Sequence, residues 1–174
     1  MKHASTILAA ILALAHPLIL FADVRDTPSE RTLSLPTGKP ALVIPRSDWV
    51  IAREQRKPGD TTVYYLLNSG ETQLILSAYI DKSTVCRAAD ECLQSALKNQ
   101  SYNDAKELKM LDAASFKAAS FYLDNPKGAP VKQAHVLAAA YVDGVWFDVH
   151  ISKGGAERPE LGQLVELLKS LSIR

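Results

Sequence analysis

The side chains of this sequence that could do chemistry gather in two neighbouring apolar stretches near its C-terminal end. His135 lies in the first stretch, and Asp148, His150 and Ser152 occupy alternate positions in the second. Imidazole, carboxylate and hydroxyl groups that meet in space can bind a metal ion, transfer protons or act as nucleophiles. Each of these chemistries depends on the strands that hold the four residues.

The dipeptide Asp143-Gly144 predicts how the two stretches pair. Asp-Gly favours a two-residue β-hairpin turn, here between strands over 131–142 and 145–153. Such a turn fixes which residues stand opposite each other, so both faces of the hairpin can be assigned. One face combines small with large apolar residues, and we predict that it is the core face, packed against the last helix. Its pairs are Val142 with Val145, Ala140 with Phe147, Ala138 with Val149, and Val136 with Ile151.

The other face of the hairpin is mixed in character. The register places its two histidines diagonally, about 7–8 Å apart. We expect a binding site on this face, formed by Tyr141, Trp146, Asp148, His150 and His135. The pairs on this face are Tyr141 with Trp146, Ala139 with Asp148, Leu137 with His150, and His135 with Ser152.

Several hypotheses compete for the mixed face. His135, His150 and Asp148 could be three ligands of a transition metal, because imidazole and carboxylate suit such ions. Ser152 and His135 could form a hydrolytic pair, although the sequence has no nucleophile elbow to expose the hydroxyl. In a purely structural interpretation, the aromatic pair contributes about 0.2–1 kcal/mol and the polar groups are solvated or hydrogen-bonded. The remaining hypothesis is a groove for a small ligand or a protein partner.

Other signatures of catalysis or nucleic-acid binding do not occur in the sequence. It contains no phosphate loop, no His-Glu-x-x-His and no glycine fingerprint for a dinucleotide. Its 20 Lys and Arg residues nearly balance its 19 Asp and Glu residues, so the basic footprint of a nucleic-acid-binding protein is missing. We therefore expect a protein that is not an enzyme, has no cofactor and binds no nucleic acid.

Residues 1–22 have the pattern of a secretory signal peptide. Lys2 precedes an apolar run over 7–21, and Ala22 is a small residue before polar sequence. The run is shorter than the roughly 20 residues of a membrane-spanning helix, and Pro17 interrupts it. We expect cleavage after Ala22, with Ala15 as the rival site and an uncleaved anchor as the alternative. The product would be periplasmic or secreted, without stable membrane insertion.

Cys86 and Cys92 are the only cysteines of the sequence, and in an oxidising compartment we expect them to form a disulfide. Six residues of one α-helix would separate them by about 9 Å. A disulfide needs Cα atoms within about 7 Å of each other. The helix that holds Cys92 must therefore begin after Cys86, near Ala88 or Ala89.

The rest of the chain predicts a single α+β domain over 41–174 that follows a flexible leader over 23–40, a segment that can become ordered on the domain. The two predicted helices span 88–99 and 159–170, the second with Pro159 in its first turn. Tight turns between neighbouring strands indicate an antiparallel sheet, which we expect to be curved, with both helices packed on it. The predicted strands are 41–44, 49–56, 61–67, 72–80, 108–111, 116–123, the two of the hairpin above, and an edge segment at 172–174; a three-residue loop at 68–70 joins the third and fourth.

This order of elements resembles the PsbP-like fold. The resemblance rests on Leu42-Val43-Ile44-Pro45 followed by Trp49, then a hairpin, a helix, a group of strands and a last amphipathic helix. Small exported bacterial proteins of the DcrB type share that fold. Because members of the family are mostly binding or assembly proteins, the resemblance implies a non-enzymatic role and transfers no functional residue. We expect an exported protein that binds a protein partner or a small ligand, with a periplasmic metal-binding protein as the alternative.

Overall fold

The structure is a computed structural model that describes residues 24–57, 59, 61–82 and 86–174. The predicted signal peptide at 1–22 lies outside the described residues. Two helices and a predominance of antiparallel strand confirm the α+β class. In the described part of the chain, no helix is both long enough and apolar enough to cross a membrane.

The described elements follow the predicted order closely. The helices are α1 (Ala89–Leu97) and α2 (Leu161–Ser170), and short 3₁₀ turns cover Gln100–Tyr102 and Pro126–Gly128. The strands are β1 (Arg25–Asp26), β2 (Glu30–Ser34), β3 (Ala41–Pro45), β4 (Trp49–Arg56), β5 (Thr62–Ser69), β6 (Ile75–Asp81), β7 (Lys106–Ala113), β8 (Phe116–Asp124), β9 (Lys132–Val142), β10 (Val145–Gly155) and β11 (Ser172–Ile173).

The described strands form two sheets, where the sequence suggested one. The larger sheet has the order β4-β5-β6-β10-β9-β8-β7, and the smaller has the order β1-β2-β3-β11. The outer strands of the larger sheet are therefore β4 and β7, and the pairing of each is interrupted by a register shift. The smaller sheet joins the N-terminal strands to the C-terminal end of the chain through the pairing of β11 with β3.

The segment that we expected to be a flexible leader contains β1 and β2. β2 pairs antiparallel with β3 along its whole length. Leu33 and Leu35, at alternate positions, are fully buried in the main core. Burying a leucine side chain is worth roughly 1.5–3 kcal/mol, which favours an ordered strand in an otherwise polar segment.

The hairpin of β9 and β10 has the register predicted from Asp143-Gly144, residue for residue. Its alanine-rich face lies in the main core, where Ala138 and Ala140 are fully buried. Leu164 and Leu168 of α2 are buried in the same core. Small side chains on β9 allow this helix to approach the sheet closely.

The disulfide between Cys86 and Cys92 is present and buried, with the Cα atoms 5.2 Å apart. Ala88 is the N-cap of α1, and the helix begins at Ala89, as the disulfide geometry requires. The helix packs against β8, β9 and β10, on the face of the large sheet opposite to α2. The α1 helix therefore lies over the β8–β9 side of the mixed face.

The connection between β5 and β6 differs from the predicted three-residue loop. β5 continues to Ser69 and β6 begins at Ile75, so five residues connect them. The Asp48 carboxylate holds this loop by accepting hydrogen bonds from the Ser69 hydroxyl (2.7 Å) and the Glu71 amide (2.7 Å). Asp48 lies between β3 and β4, so its contact with this loop could not be inferred from the loop sequence.

Candidate functional site

The mixed face of β10 carries Trp146, Asp148 and His150, next to β6 in the large sheet. Alternate residues of a strand point to the same face, so the three side chains form a row. Each has a partner on β6 that faces the same way: Asp81 opposite Trp146, Tyr79 opposite Asp148, and Ser77 opposite His150.

At the level of Asp148, residues of four neighbouring strands stand opposite one another and form a row across the sheet. Tyr64 on β5 stands opposite Tyr79 on β6, Tyr79 opposite Asp148 on β10, and Asp148 opposite Ala139 on β9. The sheet thus presents two phenol rings and a carboxylate side by side. On β9 the row continues with Ala139, a small residue buried in the cluster that includes α1.

These side chains line an open groove of about 350 Å³. The 3₁₀ turn after α1 contributes Tyr102 to its wall, and the Asn99 side chain caps that turn by accepting a hydrogen bond from the Ser101 amide. Aromatic rings dominate the groove, and one carboxylate lies among them. The lining residues are Tyr64, Ser77, Tyr79, Tyr102, Leu137, Trp146, Asp148 and His150.

The carboxylate of Asp148 is half-buried and has no hydrogen-bond or ion-pair partner among the described side chains. Burial disfavours the charged form and raises the pKa of Asp148 to about 6. Burial and the nearby charge of Asp148 also raise the pKa of Tyr102. An acid that lacks a counter-charge inside a groove is the feature that most distinguishes this site from an ordinary sheet surface.

The second carboxylate near the groove, that of Asp81, is already satisfied. It accepts hydrogen bonds from the Thr62 hydroxyl (3.0 Å) and the Tyr79 hydroxyl (3.4 Å). The Tyr79 oxygen in turn accepts a hydrogen bond from Lys57, whose ammonium lies 5.9 Å from the ring centroid. Lys57 does not line the groove itself.

Trp146 forms an edge-on contact with Tyr79, with ring centroids 5.7 Å apart. Its indole Nε1 is buried and has no hydrogen-bond acceptor within the described part of the chain. Leaving a buried donor unsatisfied costs about 1–3 kcal/mol. Packing therefore holds this ring in position despite the free-energy cost of the unsatisfied Nε1 donor.

His135 and His150 are hydrogen-bonded to each other, with Nδ1 of His135 and Nε2 of His150 2.8 Å apart. Nε2 of His135 donates to Oε1 of Gln133 at 3.1 Å, so its Nδ1 must accept the hydrogen bond from His150. Burial lowers the pKa of His150, and burial together with charge on His150 lowers the pKa of His135. Both imidazoles are therefore neutral near pH 7.

Aromatic rings hold this histidine pair in place. Phe121 stacks on His135 with ring centroids 5.1 Å apart, and the edge-on contact of Tyr102 with His150 measures 5.9 Å. Beyond Tyr102 lies a second cavity of about 550 Å³, which His135 and His150 also line. Tyr102 and His150 thus form the wall between the two cavities.

The structure separates the five residues that the sequence predicted for the site. Trp146, Asp148 and His150 line the groove, and His135 lines only the second cavity. Tyr141 stands opposite Trp146 as predicted. It packs against the core beneath α1, however, and lines neither cavity.

Sequence reasoning missed the residues that the rest of the fold supplies to the two cavities. Tyr64, Ser77 and Tyr79 come from β5 and β6, whose register depends on the five-residue loop. Tyr102 comes from the turn after α1. The alternation of Tyr64 with Leu66 and of Ser77 with Tyr79 was the available signal, but only the correct register places these residues beside β10.

The proposed metal ligands do not assemble into a metal centre. Among the residues that the structure describes, no group of three or more His, Cys, Asp or Glu side chains is placed to hold a metal ion. The hydrolytic pair does not form either, since both ring nitrogens of His135 are hydrogen-bonded to His150 and Gln133. Ser152 therefore has no imidazole partner in His135.

Comparison of the chain with models of known protein families and with curated proteins yields no match.

Proposed function

We propose that this chain is an exported binding protein that holds a small ligand in the groove over β5, β6 and β10 and does no chemistry on it. The carboxylate of Asp148 carries the proposal, because it lies among aromatic side chains without a partner. Ligand sites are typically concave and mostly apolar, with a few polar groups that fix orientation. The groove has this composition and, at about 350 Å³, a size near the lower end of such sites.

The concave shape favours a small ligand over a protein partner. Protein interfaces of ordinary size bury about 800 Å² on each partner and are centred on well-packed anchor residues. Here the aromatic residues line an open groove of about 350 Å³. The large exposed apolar side chains, Val50, Ile75, Leu108 and Met110, are not among the lining residues.

The histidine pair forms part of the structure around the groove. A general base needs a free ring nitrogen within reach of its substrate. Both nitrogens of His135 are engaged, so His135 cannot serve as that base, whereas His150 is engaged only through Nε2. Both rings also have aromatic neighbours, so we infer that the pair is a rigid wall of the groove.

The compartment and the fold family are part of the same proposal. A buried disulfide fits an oxidising compartment, which supports the predicted signal peptide and a periplasmic or secreted location. The element order from β3 through the β5–β6 hairpin, α1, the strand group and α2 supports a PsbP-like fold with a curved sheet.

Ligand binding can be tested by filling the groove. Ser77 lies on its floor, and Ser77→Phe would occupy the space where a ligand sits. The matched control is Asn68→Phe, which adds the same ring to an exposed position of β5 outside the groove. A library of small cations, anions, sugars and neutral compounds is screened by thermal unfolding of the wild type and both variants.

We expect at least one compound class to stabilise the wild type and the control, but not Ser77→Phe. Saturating ligand at 100 times its dissociation constant adds about 2.7 kcal/mol to the free energy of unfolding. A library without effect on the wild type would overturn the proposal, as would stabilisation that persists in Ser77→Phe.

A further inference from the structure

We propose that the ligand of the groove is a small organic cation with an alkylated ammonium group, an inference that rests on the proposed binding function. The groove combines aromatic rings with a carboxylate that lacks a counter-charge. Such a combination recognises an ammonium group by its charge and its apolar surface together.

The aromatic side chains supply the first part of this recognition. Tyr64, Tyr79, Tyr102 and Trp146 line the groove from three directions: β5 and β6, the turn after α1, and β10. The face of an aromatic ring is electrically negative, and tryptophan attracts a cation most strongly. Cages of this kind bind quaternary ammonium groups, whose methyl groups contact the rings without needing hydrogen-bond acceptors.

Asp148 supplies the second part, which is charge. Its carboxylate lies in register with Tyr79 and Tyr64, so it adjoins the rings that would contact the cation. An anionic or neutral ligand would leave this carboxylate unpaired. A cation provides the missing partner and offsets the cost of keeping the charge half-buried.

The remaining charged groups favour the same sign of ligand. Among the described residues, none that lines the groove is Lys or Arg. His150, the imidazole in the lining, is held neutral by burial, which lowers its pKa. Outside the lining, the ammonium of Lys57 and the carboxylate of Asp81 are both hydrogen-bonded to the Tyr79 hydroxyl. Their opposite charges offset each other, so the pair adds no net positive charge beside the groove.

The predominance of aromatic surface in the groove favours an alkylated ammonium over a primary one. A primary ammonium has three donors to satisfy. Apart from Asp148, the polar groups of the lining are the Ser77 hydroxyl, the tyrosine hydroxyls and the imidazole of His150. An ammonium that carries methyl groups matches the predominance of aromatic surface and leaves no donor unsatisfied.

The test compares choline with its uncharged isostere 3,3-dimethyl-1-butanol, which replaces the quaternary nitrogen by carbon. Binding is followed by the fluorescence of Trp146 in a Trp49→Phe background, because these are the only two tryptophans of the sequence. The variants are Asp148→Asn and, as a matched control, Asp143→Asn in the exposed hairpin turn. Ethanolamine is included as the primary-ammonium probe.

We expect choline to bind at least tenfold more tightly than the isostere and more tightly than ethanolamine. Asp148→Asn should weaken choline binding at least tenfold and leave the isostere unchanged, while Asp143→Asn changes neither. Equal binding of choline and the isostere, or unchanged choline binding in Asp148→Asn, would overturn the cation inference but preserve the binding function. Absence of choline binding also overturns it. If the groove-filling screen then finds no ligand of any class, the proposed function fails as well.

Discussion

Tyr79 and Asp148 stand directly opposite each other on β6 and β10, and both side chains line the groove. The Tyr79 hydroxyl donates to Asp81 and not to Asp148. The Tyr79 hydroxyl therefore gives no hydrogen bond to the Asp148 carboxylate. In the protein without ligand, the half-buried charge of Asp148 therefore lowers the free energy of unfolding, and this loss can be measured.

Asp148→Asn should stabilise the protein at pH 7. The folded state raises the pKa of this carboxyl to about 6, against about 3.9 in an unfolded chain. Folding is therefore penalised when the group is ionised in both states, and the penalty disappears as pH falls through 6 to about 4. We expect a gain of about 1–3 kcal/mol in the free energy of unfolding at pH 7, measured by urea denaturation, and no gain at pH 4. A variant less stable than the wild type at pH 7 would contradict this.

His150→Gln should reduce the acid sensitivity of the protein. Burial lowers the folded-state pKa of His135 and His150, so both bind protons more readily when unfolded. Their neutral form therefore imposes no cost on the free energy of unfolding above about pH 6.5, and stability is lost as pH falls below that value. The substitution removes one of the two titrating rings and retains a donor for Nδ1 of His135. We expect a shallower fall in stability between pH 6.5 and 4.5, relative to each protein's own value at pH 7.5. Parallel curves for variant and wild type would show that the pair does not control this window.

The disulfide should contribute modestly to stability. Closing a loop as short as that between Cys86 and Cys92 stabilises by about 2–2.5 kcal/mol in the chain-entropy model. Protein refolded in reductant should be less stable by about this amount, as measured by denaturant titration. Thiol counting under denaturing conditions checks the premise, and two free thiols in freshly exported protein would refute the disulfide.

Asp48→Ala should destabilise the loop between β5 and β6 and, through it, the groove. Hydrogen bonds from the Glu71 amide and the Ser69 hydroxyl lower the pKa of Asp48 to about 2. Because the folded-state pKa is depressed, this contribution is complete above about pH 4 and is lost as pH falls through 2. We expect a lower melting temperature at pH 7 and faster amide exchange at Glu71. Glu71→Ala, which keeps the amide, serves as the control and should leave both observables close to the wild type.

Export predicts the N-terminus of the natural protein. Mass spectrometry of material purified from its native source should show a chain that begins at Asp23, after removal of residues 1–22. A chain that retains the initiator methionine and is recovered from the reducing interior of the cell would contradict both the signal peptide and the expected location.

The β9–β10 hairpin shows where local sequence was sufficient. Asp143-Gly144 specifies a two-residue turn whose geometry fixes the register by itself, and every predicted pair is present. The position of α1 was equally constrained, because the spacing of Cys86 and Cys92 excluded an earlier start. Both inferences depended on covalent geometry or turn chemistry within a few residues.

The groove shows where local sequence was not sufficient. Its β5–β6 side depends on a loop that Asp48 holds from another part of the chain. The register places the two histidines as diagonal neighbours, as predicted, but strand spacing does not predict that their ring nitrogens meet at 2.8 Å. Rotation of the side chains toward each other follows from the rings of Phe121 and Tyr102, which only the folded protein brings to this position.

The register shifts in β4 and β7 bear on how the protein behaves at high concentration. Both strands lie at the margins of the large sheet, where unpaired backbone groups can recruit a strand of another molecule and start aggregation. An irregular strand twists locally and presents fewer consecutive pairing groups. β4 carries Arg53 at its irregularity, and β7 carries Lys106 and Lys109 at its own. Charge and irregular pairing at each edge strand therefore oppose the addition of a strand from another molecule, which offsets the exposed apolar side chains of Val50, Leu108 and Met110 on the same strands.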